Sequence, residues 1–510
     1  MSVEFPNPAA EKYYYHWQLV RDCVAGEHTI KMRGEDYLPR KSGQSKEDYA
    51  RYQARAKWAD YTEQALNTMH GMIFRRNPVV EVPDNKQLQE CFKNFDCEGH
   101  SFYQFTSNAC YDNMQTNFGG LLVDMPPVSM PMTVADAENL GIRPFVKYYK
   151  AEEVINWKYR DFNGIQQLSK VILREWVESQ DTDEFSHELV VQYRVLDLDE
   201  NNNCRVRIFC KQSPKDKEFN PVAEMHILIH GQNIHYIPFE FLPYIPSKPM
   251  LYGVAELNKH YYMQSADYEN GVHLTTLPTA VITGYRSDDD VLRLGQDIAI
   301  MIPDSDAKAY TLQFAGEGLE HCEKAIESTQ EQIGILGTRA VSPDKAMSET
   351  SDAAKIHRAG EHAKLATYAR DISEVFTRVV QIMADWIGVN GKVSIQFNVD
   401  YDTVSFDPNM LNAIANLSRE GKFPLPFVYE ALVRGEIVPN NFTFGEFMML
   451  IDLEASGVTA GEEVELYQKL RSGEKIEIPH ETSVLNLKAD ISENDKSPDE
   501  TKQGSLEAGK

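Results

Sequence analysis

Four glutamates late in the chain recur three or four residues apart, and this spacing is the most suggestive chemical feature of the sequence. They are Glu320, Glu323, Glu327 and Glu331. On a helix, residues at these spacings share one face, where like charges repel one another. Lys324 is the one basic residue within the run. The face is either an ordinary solvated surface or, if copies of the chain form a ring, an acidic collar around a passage.

A second acidic group is the triplet Asp288, Asp289 and Asp290. Consecutive residues on a turn point in different directions, whereas an EF-hand spaces its calcium ligands along a loop of about twelve residues. The pattern therefore favours a solvated turn over a cation site.

A pair of carboxylates allows one enzymatic alternative. Asp400 and Asp402 are separated by one residue, so in a strand both side chains would share a face. Two such carboxylates could hold a divalent cation in a metal-dependent nuclease or phosphodiesterase. The sequence offers neither a third ligand nor a base for that chemistry.

The compact motifs of nucleotide and hydrolytic chemistry are missing from the sequence. A P-loop requires GxxxxGK followed by Ser or Thr. The pair Gly119-Gly120 lacks the following lysine, and Gly391-Lys392 lacks a glycine at the right distance upstream. The motifs HExxH and GxSxG do not occur either. We therefore expect no enzyme activity and no cofactor.

The seven cysteines indicate buried thiols, because they are scattered, odd in number and include no CxxC pair. Cys97 and His100 are close in sequence, but a structural zinc site needs four ligands. We therefore expect neither a disulfide framework nor a metal. The cysteines are Cys23, Cys91, Cys97, Cys110, Cys204, Cys210 and Cys322.

Charge and composition exclude several classes of protein. A formal net charge of −26 argues against a protein that grips nucleic acid, because such proteins present a basic surface. Carboxylates around a passage could nevertheless let DNA through by repelling its phosphates. Hydrophobic residues make up 42% of the 510 residues, enough for about two to four structural regions. No apolar run reaches the roughly 20 residues that span a bilayer, and no signal peptide is visible, so we expect a cytoplasmic chain without membrane contact.

Hydrophobic periodicity predicts two helices near the start of the chain, over Tyr13–Ala25 and Lys46–Met72, with Gly71 and Pro78 ending the second. From about Arg174 to Pro243 the period changes to two, which predicts an antiparallel sheet. His230 and His235 are interpreted as residues flanking a hairpin. The predicted strands are Val190–Asp197, Arg205–Cys210, Glu224–Ile229 and Ile234–Phe241.

In the middle of the chain, the hydrophobic pattern predicts a helix, a small β insert, a second helix, a polar break and a long helix. Pro343 supports the break, because proline cannot continue a helix interior. In order, these elements are Leu251–Leu274, the strands Thr279–Tyr285, Asp297–Ile302 and Lys308–Phe314, the helix Gly318–Leu336, the break Thr338–Ser348 and the helix Glu349–Ile387.

The last section predicts one strand and a small helical region. From about Glu477 the chain becomes polar, and that tail is expected to be disordered. The strand is Val393–Val399, and the helices are Asn409–Arg419, Pro426–Arg434 and Thr443–Gly457.

Several phrases of the sequence together resemble a family of tailed-bacteriophage portal proteins that was long described only as a domain of unknown function. They span about Tyr13 to Gly388, and their order and spread carry the resemblance. The phrases are YLP at 37–39, YARYQARAKW at 49–58, GMIFRRNP at 71–78, GGLLVDMP at 119–126, INW at 155–157, RE at 174–175, SADYENG at 265–271, LPTAVITG at 277–284 and SETSDAAKIHRAGEHAKL at 348–365.

The resemblance implies an α+β portal fold that assembles as a closed ring, usually a dodecamer. Its regions, carried over by position, would be a wing at 1–250, a first stem helix at 251–276, a clip at 277–317, a second stem helix at 318–337, a tunnel loop at 338–348, a long wing helix and strand at 349–404, a crown at 405–476 and a tail at 477–510. The crown carries the weakest resemblance.

The same resemblance assigns expected sites. The tunnel loop would face DNA, with Arg339 and Lys345 as transient phosphate contacts. The acidic stem would line the channel, and the clip would be a docking surface. The residues concerned are Thr338, Arg339, Ser342, Lys345 and Ser348 in the loop, Glu320, Glu323, Glu327 and Glu331 in the stem, and Asp288, Asp289, Asp290 and Arg293 in the clip.

The implied function is a DNA channel at one capsid vertex for genome packaging and ejection. Expected partners are double-stranded DNA that passes without sequence specificity, the terminase large subunit, an adaptor or head-completion protein, and the major capsid and scaffolding proteins. The expected location is the virion, and the host cytoplasm during assembly. Another ring of the head-tail connector is the structural alternative.

Overall fold

The computed structural model describes residues 3–126, 141–178, 188–211, 218–243, 245–276, 279–283, 308–312, 317–338, 351–401 and 424–434, with isolated positions between 413 and 448. The chain divides into two units, Met1–Tyr401 and Asp402–Lys510. In the second unit, the one continuous element that the structure describes is the helix Leu425–Arg434.

Helices occupy most of the first 116 residues and much of the section between residues 252 and 387. Short 3₁₀ turns lie at Gly34–Asp36 and Ala151–Glu153, and a π segment spans Gly334–Thr338. The described helices are α1 (Pro8–Glu11), α2 (Tyr14–Ala25), α3 (Glu27–Arg33), α4 (Lys46–Arg55), α5 (Tyr61–Phe74), α6 (Lys86–Lys93), α7 (Phe102–Thr116), α8 (Tyr252–Thr276), α9 (Glu317–Ile333), α10 (Ser351–Ile387) and α11 (Leu425–Arg434).

The described strands pair antiparallel in five sheets, of which the largest has the order β4-β5-β6-β7-β8 and the next β11-β2-β3. The pairs β1-β14, β9-β10 and β12-β13 complete the set. The strands are β1 (Val79–Glu81), β2 (Gly119–Asp124), β3 (Phe145–Lys150), β4 (Val154–Phe162), β5 (Ile165–Glu178), β6 (Leu189–Leu198), β7 (Cys204–Cys210), β8 (Asn220–His226), β9 (Leu228–Ile229), β10 (Gln232–Asn233), β11 (Phe239–Phe241), β12 (Thr279–Thr283), β13 (Lys308–Leu312) and β14 (Ser394–Gln396).

The fold is thus a mixture of helices and antiparallel sheets, as the sequence predicted. The five-stranded sheet is a meander in which each strand pairs with the next along the chain. Successive side chains alternate between its two faces, and Val171 and Leu173 in β5 are fully buried on the face that meets the core. The antiparallel sheet predicted for this section is confirmed.

One aromatic and aliphatic core joins the N-terminal helices to the three-stranded sheet and to α10. Trp17 of α2 is 1% exposed and stacks on Phe118, with ring centroids 5.9 Å apart. Phe376 of α10 is fully buried and meets the edge of Phe102 at 6.0 Å. Burial of each such ring stabilises the fold by about 1.5–3 kcal/mol.

A glycine permits the closest approach in this core. A Cβ atom on Gly120 in β2 would lie 2.0 Å from a ring carbon of Phe239 in the neighbouring strand β11. Phe239 is itself 3% exposed, so its ring has little room to move. Glycine is therefore required here, because the aromatic ring occupies the space of a side chain.

A buried carboxylate links β3 to the five-stranded sheet. Glu175 of β5 is 4% exposed, and its Oε1 accepts from Lys147 Nζ at 3.0 Å and from the Tyr149 hydroxyl. Its Oε2 accepts from Gln192 Nε2 at 2.6 Å, and Arg194 Nε lies 3.2 Å away. Burial alone would raise the pKa of Glu175, but the two cations and the hydrogen bonds outweigh it and lower the pKa to about 2.

The structure differs from the sequence prediction at the second helix. The predicted helix Lys46–Met72 is two helices, α4 and α5, with a break after Arg55. Gly71 does not end the second helix, which continues to Phe74. A glycine inside a helix costs about 1 kcal/mol relative to alanine, which tertiary packing readily offsets.

Two strand predictions are also wrong in extent. Of the predicted strand Ile234–Phe241, the structure forms a strand at Phe239–Phe241 alone, which is β11. The predicted strand Val393–Val399 is shortened to Ser394–Gln396, which pairs with β1. Helix α7 was not predicted, although Ser101 and Gln104 form the capping box that marks its start.

Several predictions lie outside the described residues. They concern the strand Asp297–Ile302, most of the helices Asn409–Arg419 and Thr443–Gly457, and the tail from Glu477. Within the described residues, no helix combines the length and the apolar character needed to cross a membrane.

Changing Glu175 to glutamine should destabilise the first unit. The change keeps the shape of the side chain but removes the buried charge that faces Lys147 and Arg194. Arg194 keeps Asp124 at 2.6 Å, so the loss falls mainly on Lys147, and we expect it to be about 3 kcal/mol at neutral pH. Because the folded-state pKa lies below the usual 4.5, the stabilisation by Glu175 is complete above about pH 4.5 and is lost as the pH falls towards 2.

Thermal unfolding between pH 7 and pH 2 measures both effects. The variant should show a smaller decrease in stability over the acid range than the natural chain does. Glu11→Gln, at an exposed position on α1, is the control and should leave the profile unchanged. Equal acid sensitivity of the natural chain and the Glu175 variant would contradict the assignment.

Candidate functional site

Two buried polar side chains fix the base of helix α8 against the break between α4 and α5. Asn258 is fully buried, and its Oδ1 accepts from Thr62 N at 3.1 Å and from Thr62 Oγ1 at 3.0 Å. Its Nδ2 donates to Ala59 O at 2.9 Å. Ser265 Oγ accepts from Lys57 N at 3.1 Å and lies 2.7 Å from Lys57 O. These contacts satisfy backbone groups that the break leaves without helical partners.

Helices α8 and α9 pack as an antiparallel pair. A Cβ atom on Gly271, near the end of α8, would lie 2.7 Å from Leu319 Cδ2, near the start of α9. Towards the start of α8, a Cβ atom on Gly253 would lie 3.6 Å from Leu336 Cδ1, in the π segment that follows α9. The absence of a side chain at Gly271 lets the two helices approach closely.

The outer part of this pair extends beyond the core. The last buried residue of α8 is Ala266, and the first buried residue among those described in α9 is Thr329. Asp267 accepts a hydrogen bond from the Tyr52 hydroxyl at 2.8 Å, and Glu269 pairs with Lys57. Beyond these links, α8 and α9 support one another.

A strand hairpin follows α8 and precedes α9. β12 and β13 pair antiparallel from Thr279 opposite Leu312 to Thr283 opposite Lys308. We call the section from residue 270 to residue 328, as far as it is described, the arm. The arm consists of two helix ends and a strand hairpin, and this is the order that the sequence predicted.

The four glutamates singled out from their spacing lie on α9 and are exposed: Glu320, Glu323, Glu327 and Glu331. Among the described residues, the cation that contacts this face is Lys324, whose Nζ lies 2.7 Å from Glu320 Oε1. The buried residues described in α9 are Thr329 and Ile333, and Leu319 lies against Gly271 of α8. Helix α9 therefore presents carboxylates to its surroundings, while Leu319 packs against the partner helix α8. Their role as a channel lining stays a prediction.

The other predicted site residues lie at or beyond the limits of the described chain. Thr338 is the last residue of the π segment. The remaining members of the tunnel loop and the docking residues of the clip lie outside the described residues: Arg339, Ser342, Lys345, Ser348, Asp288, Asp289, Asp290 and Arg293.

Helix α10 is held firmly to the body of the first unit. The Tyr368 hydroxyl donates to Asn113 Oδ1 at 3.0 Å, and burial raises the pKa of Tyr368. The side chain of Asn113 donates to Leu242 O at 2.5 Å. Farther along α10, Thr377 Oγ1 accepts from Ile395 N at 3.0 Å, which ties the helix to β14. The long helix predicted for this section is confirmed, and it begins at Ser351.

The pair of carboxylates in the nuclease alternative is not arranged as expected. Asp400 lies after β14 and not within a strand. Its Oδ2 is 3.8 Å from Arg76 Nη1, and its backbone N–H donates to Asn398 Oδ1 at 3.1 Å. Asp402 lies outside the described residues. The expectation that a strand aligns the two side chains is wrong at Asp400, because the strand ends at Gln396.

A loop near the start of α7 brings together three residues that could bind a cation. Possible ligand atoms of Asp96, Glu98 and His100 lie within 4.8 Å of one another. Asp96 Oδ1 already accepts from the backbone N–H groups of Glu98 and His100, at 2.9 and 3.2 Å, and Oδ2 lies 2.6 Å from His100 Nδ1. These bonds account for the cluster as a self-stabilised loop. Cys97, which the sequence associated with His100, is not in the cluster.

The sequence analysis did not identify Asn258 and Ser265 as the residues that hold α8 in place. Ser265 lies in a phrase that carried the resemblance, but it received no role. A signal did exist, since both are small polar residues within an otherwise helical section and lie seven residues apart, on one face. Their partners 196 to 208 residues away could not be inferred from that spacing.

Comparison of the sequence with protein families gives one match. A family described as "Domain of unknown function (DUF4055)" matches residues 250–387. The matched section contains α8, the arm, α9 and α10. No curated protein matches the chain.

Comparison with solved structures finds chains from gene transfer agent (GTA) particles. A chain from the neck of an empty particle has 10% identity and a TM-score of 0.35, covering 72% of this chain and 86% of its own. A chain from the virion of the native particle has 10% identity and a TM-score of 0.34, covering 78% of this chain and 95% of its own. A chain from the native neck has 10% identity, a TM-score of 0.31 and the same coverage.

Replacing Asn258 by alanine should loosen the base of α8. The change removes the acceptor of Thr62 N–H and Thr62 Oγ1 in a buried position, which costs about 1–3 kcal/mol, while Ala59 O keeps its bond from Tyr61 N at 2.8 Å. Hydrogen exchange of the amides in residues 252–266 and 57–62 should become faster, and the unfolding temperature should fall.

Asn270→Ala provides the control, because Asn270 lies on the same helix and is not buried. That variant should keep the exchange rates of the natural chain at residues 252–266. If both variants exchanged alike, the buried hydrogen bonds of Asn258 would not be what holds α8 in place.

Proposed function

We propose that this chain is a portal subunit of a tailed-bacteriophage particle, a structural protein that repeats by rotation to form a ring around a channel for double-stranded DNA. The observation that carries the proposal is the arm: two antiparallel helix ends with an exposed acidic face, and an antiparallel pair of strands that lies between them along the chain. A long helix that packs into the core comes later in the chain. The sequence phrases that resemble the portal family cover the same section.

The negative charge of α9 is compatible with a channel wall that DNA passes without binding. Five glutamates and one lysine lie between Glu317 and Ile333. A surface of carboxylates repels phosphates, and a low-dielectric wall strengthens that repulsion. A duplex in such a channel finds few positions at which it can be held, so sliding has a low barrier. Proteins that hold DNA do the opposite and neutralise phosphates with Lys and Arg.

The arm has few contacts with the rest of its own chain, as expected of a part that packs against neighbouring copies. Beyond Glu269, α8 finds its described contacts mainly in α9, and the outward face of α9 is exposed in the single chain. In a ring with a heterologous interface, each arm would lie beside the next, and the rotation would close the wall. The hydrogen bonds of Asn258 and Ser265 to the break between α4 and α5 would hold every arm at the same angle.

The chain supplies no catalytic step in this function. Energy for DNA movement would come from the terminase large subunit, which would dock on the clip during packaging. An adaptor or head-completion protein would take its place afterwards, while the wing would meet the major capsid and scaffolding proteins. The ring would sit at one vertex of the virion after assembly in the host cytoplasm.

Electron microscopy of the purified chain tests the ring directly. The expected result is an annulus of about twelve subunits with a central opening wide enough for duplex DNA, about 20 Å. A uniformly monomeric protein, or an assembly without an opening, would refute the proposal. Labelling of intact particles would distinguish a portal at the capsid vertex from another connector ring below it.

Reversing charges on the acidic face should convert a passive wall into one that binds DNA. The double variant Glu323→Lys/Glu327→Lys places cations where the natural ring has carboxylates. Rings of the variant should retain duplex DNA at about 50 mM salt and release it by about 200 mM, because the binding depends on counterion release. The natural ring should retain little DNA under either condition, as filter binding would measure.

The matched control is Glu11→Lys/Glu47→Lys, which makes the same change in net charge at exposed positions on α1 and α4. This variant should bind DNA as weakly as the natural chain. Equal DNA retention by both double variants would mean that total charge, and not the acidic face of α9, governs the interaction.

A further inference from the structure

One row of ionisable side chains crosses all five strands of the largest sheet. The cross-strand partners run from β4 to β8 without interruption. Directly opposed residues on adjacent strands point to the same face. In order, the row is Lys158, Lys170, Asp197, Arg205 and His226.

The row lies on the face of the sheet that is turned away from the core. In β5, Val171 and Leu173 point into the core and are fully buried. Lys170 alternates with them and therefore points the other way. Lys158 is exposed, and the side chains of Lys170 and His226 are 36% and 43% exposed.

The one carboxylate in the row is shared by three cations. Asp197 is 4% exposed, and its oxygens lie 2.7 Å from Arg205 Nε, 2.5 Å from Arg207 Nη2 and 3.7 Å from Lys170 Nζ. One negative charge cannot neutralise three positive ones. Two further carboxylates lie beside the row: Glu224 is 3.1 Å from Arg205, and Asp199 is 3.3 Å from His226. Lys158, Lys170, Arg205 and Arg207 therefore outnumber these three carboxylates by one.

The other end of the row is not neutralised at all within the described chain. Lys158 lies directly opposite Lys170, and like charges in that arrangement destabilise a sheet. Among the described residues, no carboxylate pairs with the Lys158 ammonium group. A negative group that approaches Lys158 from outside the sheet would offset this repulsion.

We propose that this basic row docks on an acidic surface of a second copy of the chain. The inference deepens the proposed ring, because it assigns one of the two faces of its interface. The chain has 77 acidic and 51 basic residues, so a second copy offers an excess of carboxylates. Complementary charge promotes association and fixes its orientation.

The sign of the charge also selects the symmetry of the contact. An isologous contact through this face would bring one basic row against another, because both partners use the same surface. That arrangement is repulsive. A heterologous contact brings the basic row of one copy against a different, acidic surface of the next, and repetition of such a contact generates a ring if the rotation closes.

Zero-length cross-linking tests whether a second copy of the chain contacts the basic row. A carbodiimide joins a lysine amine to a carboxylate only when the two are in contact. The reaction would be performed on an assembled mixture of equal amounts of unlabelled and ¹⁵N-labelled chain, followed by mass spectrometry. We expect cross-linked peptides from Lys158 or Lys170 in which one half is labelled and the other is not. Cross-links from these lysines that never mix the two isotopes, or no cross-links from them, would overturn the inference.

Charge reversal gives an independent measurement. Lys158→Glu breaks no ion pair among the described residues, so the fold should persist. We expect the apparent association constant of the full chain at about 50 mM salt to fall about tenfold, as measured by analytical ultracentrifugation. The difference from the natural chain should shrink as salt is raised, because exposed charges are screened.

Lys86→Glu is the matched control, since Lys86 is exposed on α6 and changes net charge by the same amount. It should assemble like the natural chain. An equal loss of association in both variants, or in neither, would contradict the inference.

The outcomes separate the two proposals. Rings that form normally and give no mixed-isotope cross-links from the basic row would remove this interface and leave the portal function standing. Mixed-isotope cross-links in an assembly without a central opening would support the interface and refute the portal function.

Discussion

The position of the arm depends on the hydrogen bonds that Asn258 and Ser265 make to the break between α4 and α5. A helix that ends inside a protein leaves polar backbone groups, and each unsatisfied group costs about 1–3 kcal/mol. Helix α8 supplies the missing partners. Because directional bonds hold α8, it cannot rotate or slide along the core without breaking them. Apolar packing alone would tolerate such shifts more easily.

Charge is separated by location in the first unit. Buried carboxylates such as Glu175 and Asp197 are surrounded by cations, so they hold strands together and contribute little to the outer field. The exposed carboxylates of α9 have one nearby cation, Lys324. The outer face of the five-stranded sheet has the opposite sign. A net charge of −26 therefore conceals two surfaces with different electrostatic properties, one suited to repel a polyanion and one suited to attract an acidic partner.

Elements with a strong internal period were predictable from the sequence. Helices α2, α8, α9 and α10 follow apolar stripes, and β6 and β7 follow alternation. The prediction was wrong where a distant partner decides the local structure. The break between α4 and α5 is stabilised by residues about 200 positions away. The strand predicted for Ile234–Phe241 is reduced to Phe239–Phe241, which pairs with the distant strand β2. Local periodicity contains no information about such partners.

The sequence by itself determined the order of elements in the arm, the shared face of the four glutamates and the overall acidity, because these follow from spacing along a single helix and from composition. Only the tertiary structure decided which charges meet across strands. The row from Lys158 to His226 depends on four separate strand registers, and a shift by one residue in any of them would send its side chains to the opposite face. Register is set by the packing of the buried face, so the pattern on the exposed face appears only when the sheet has formed.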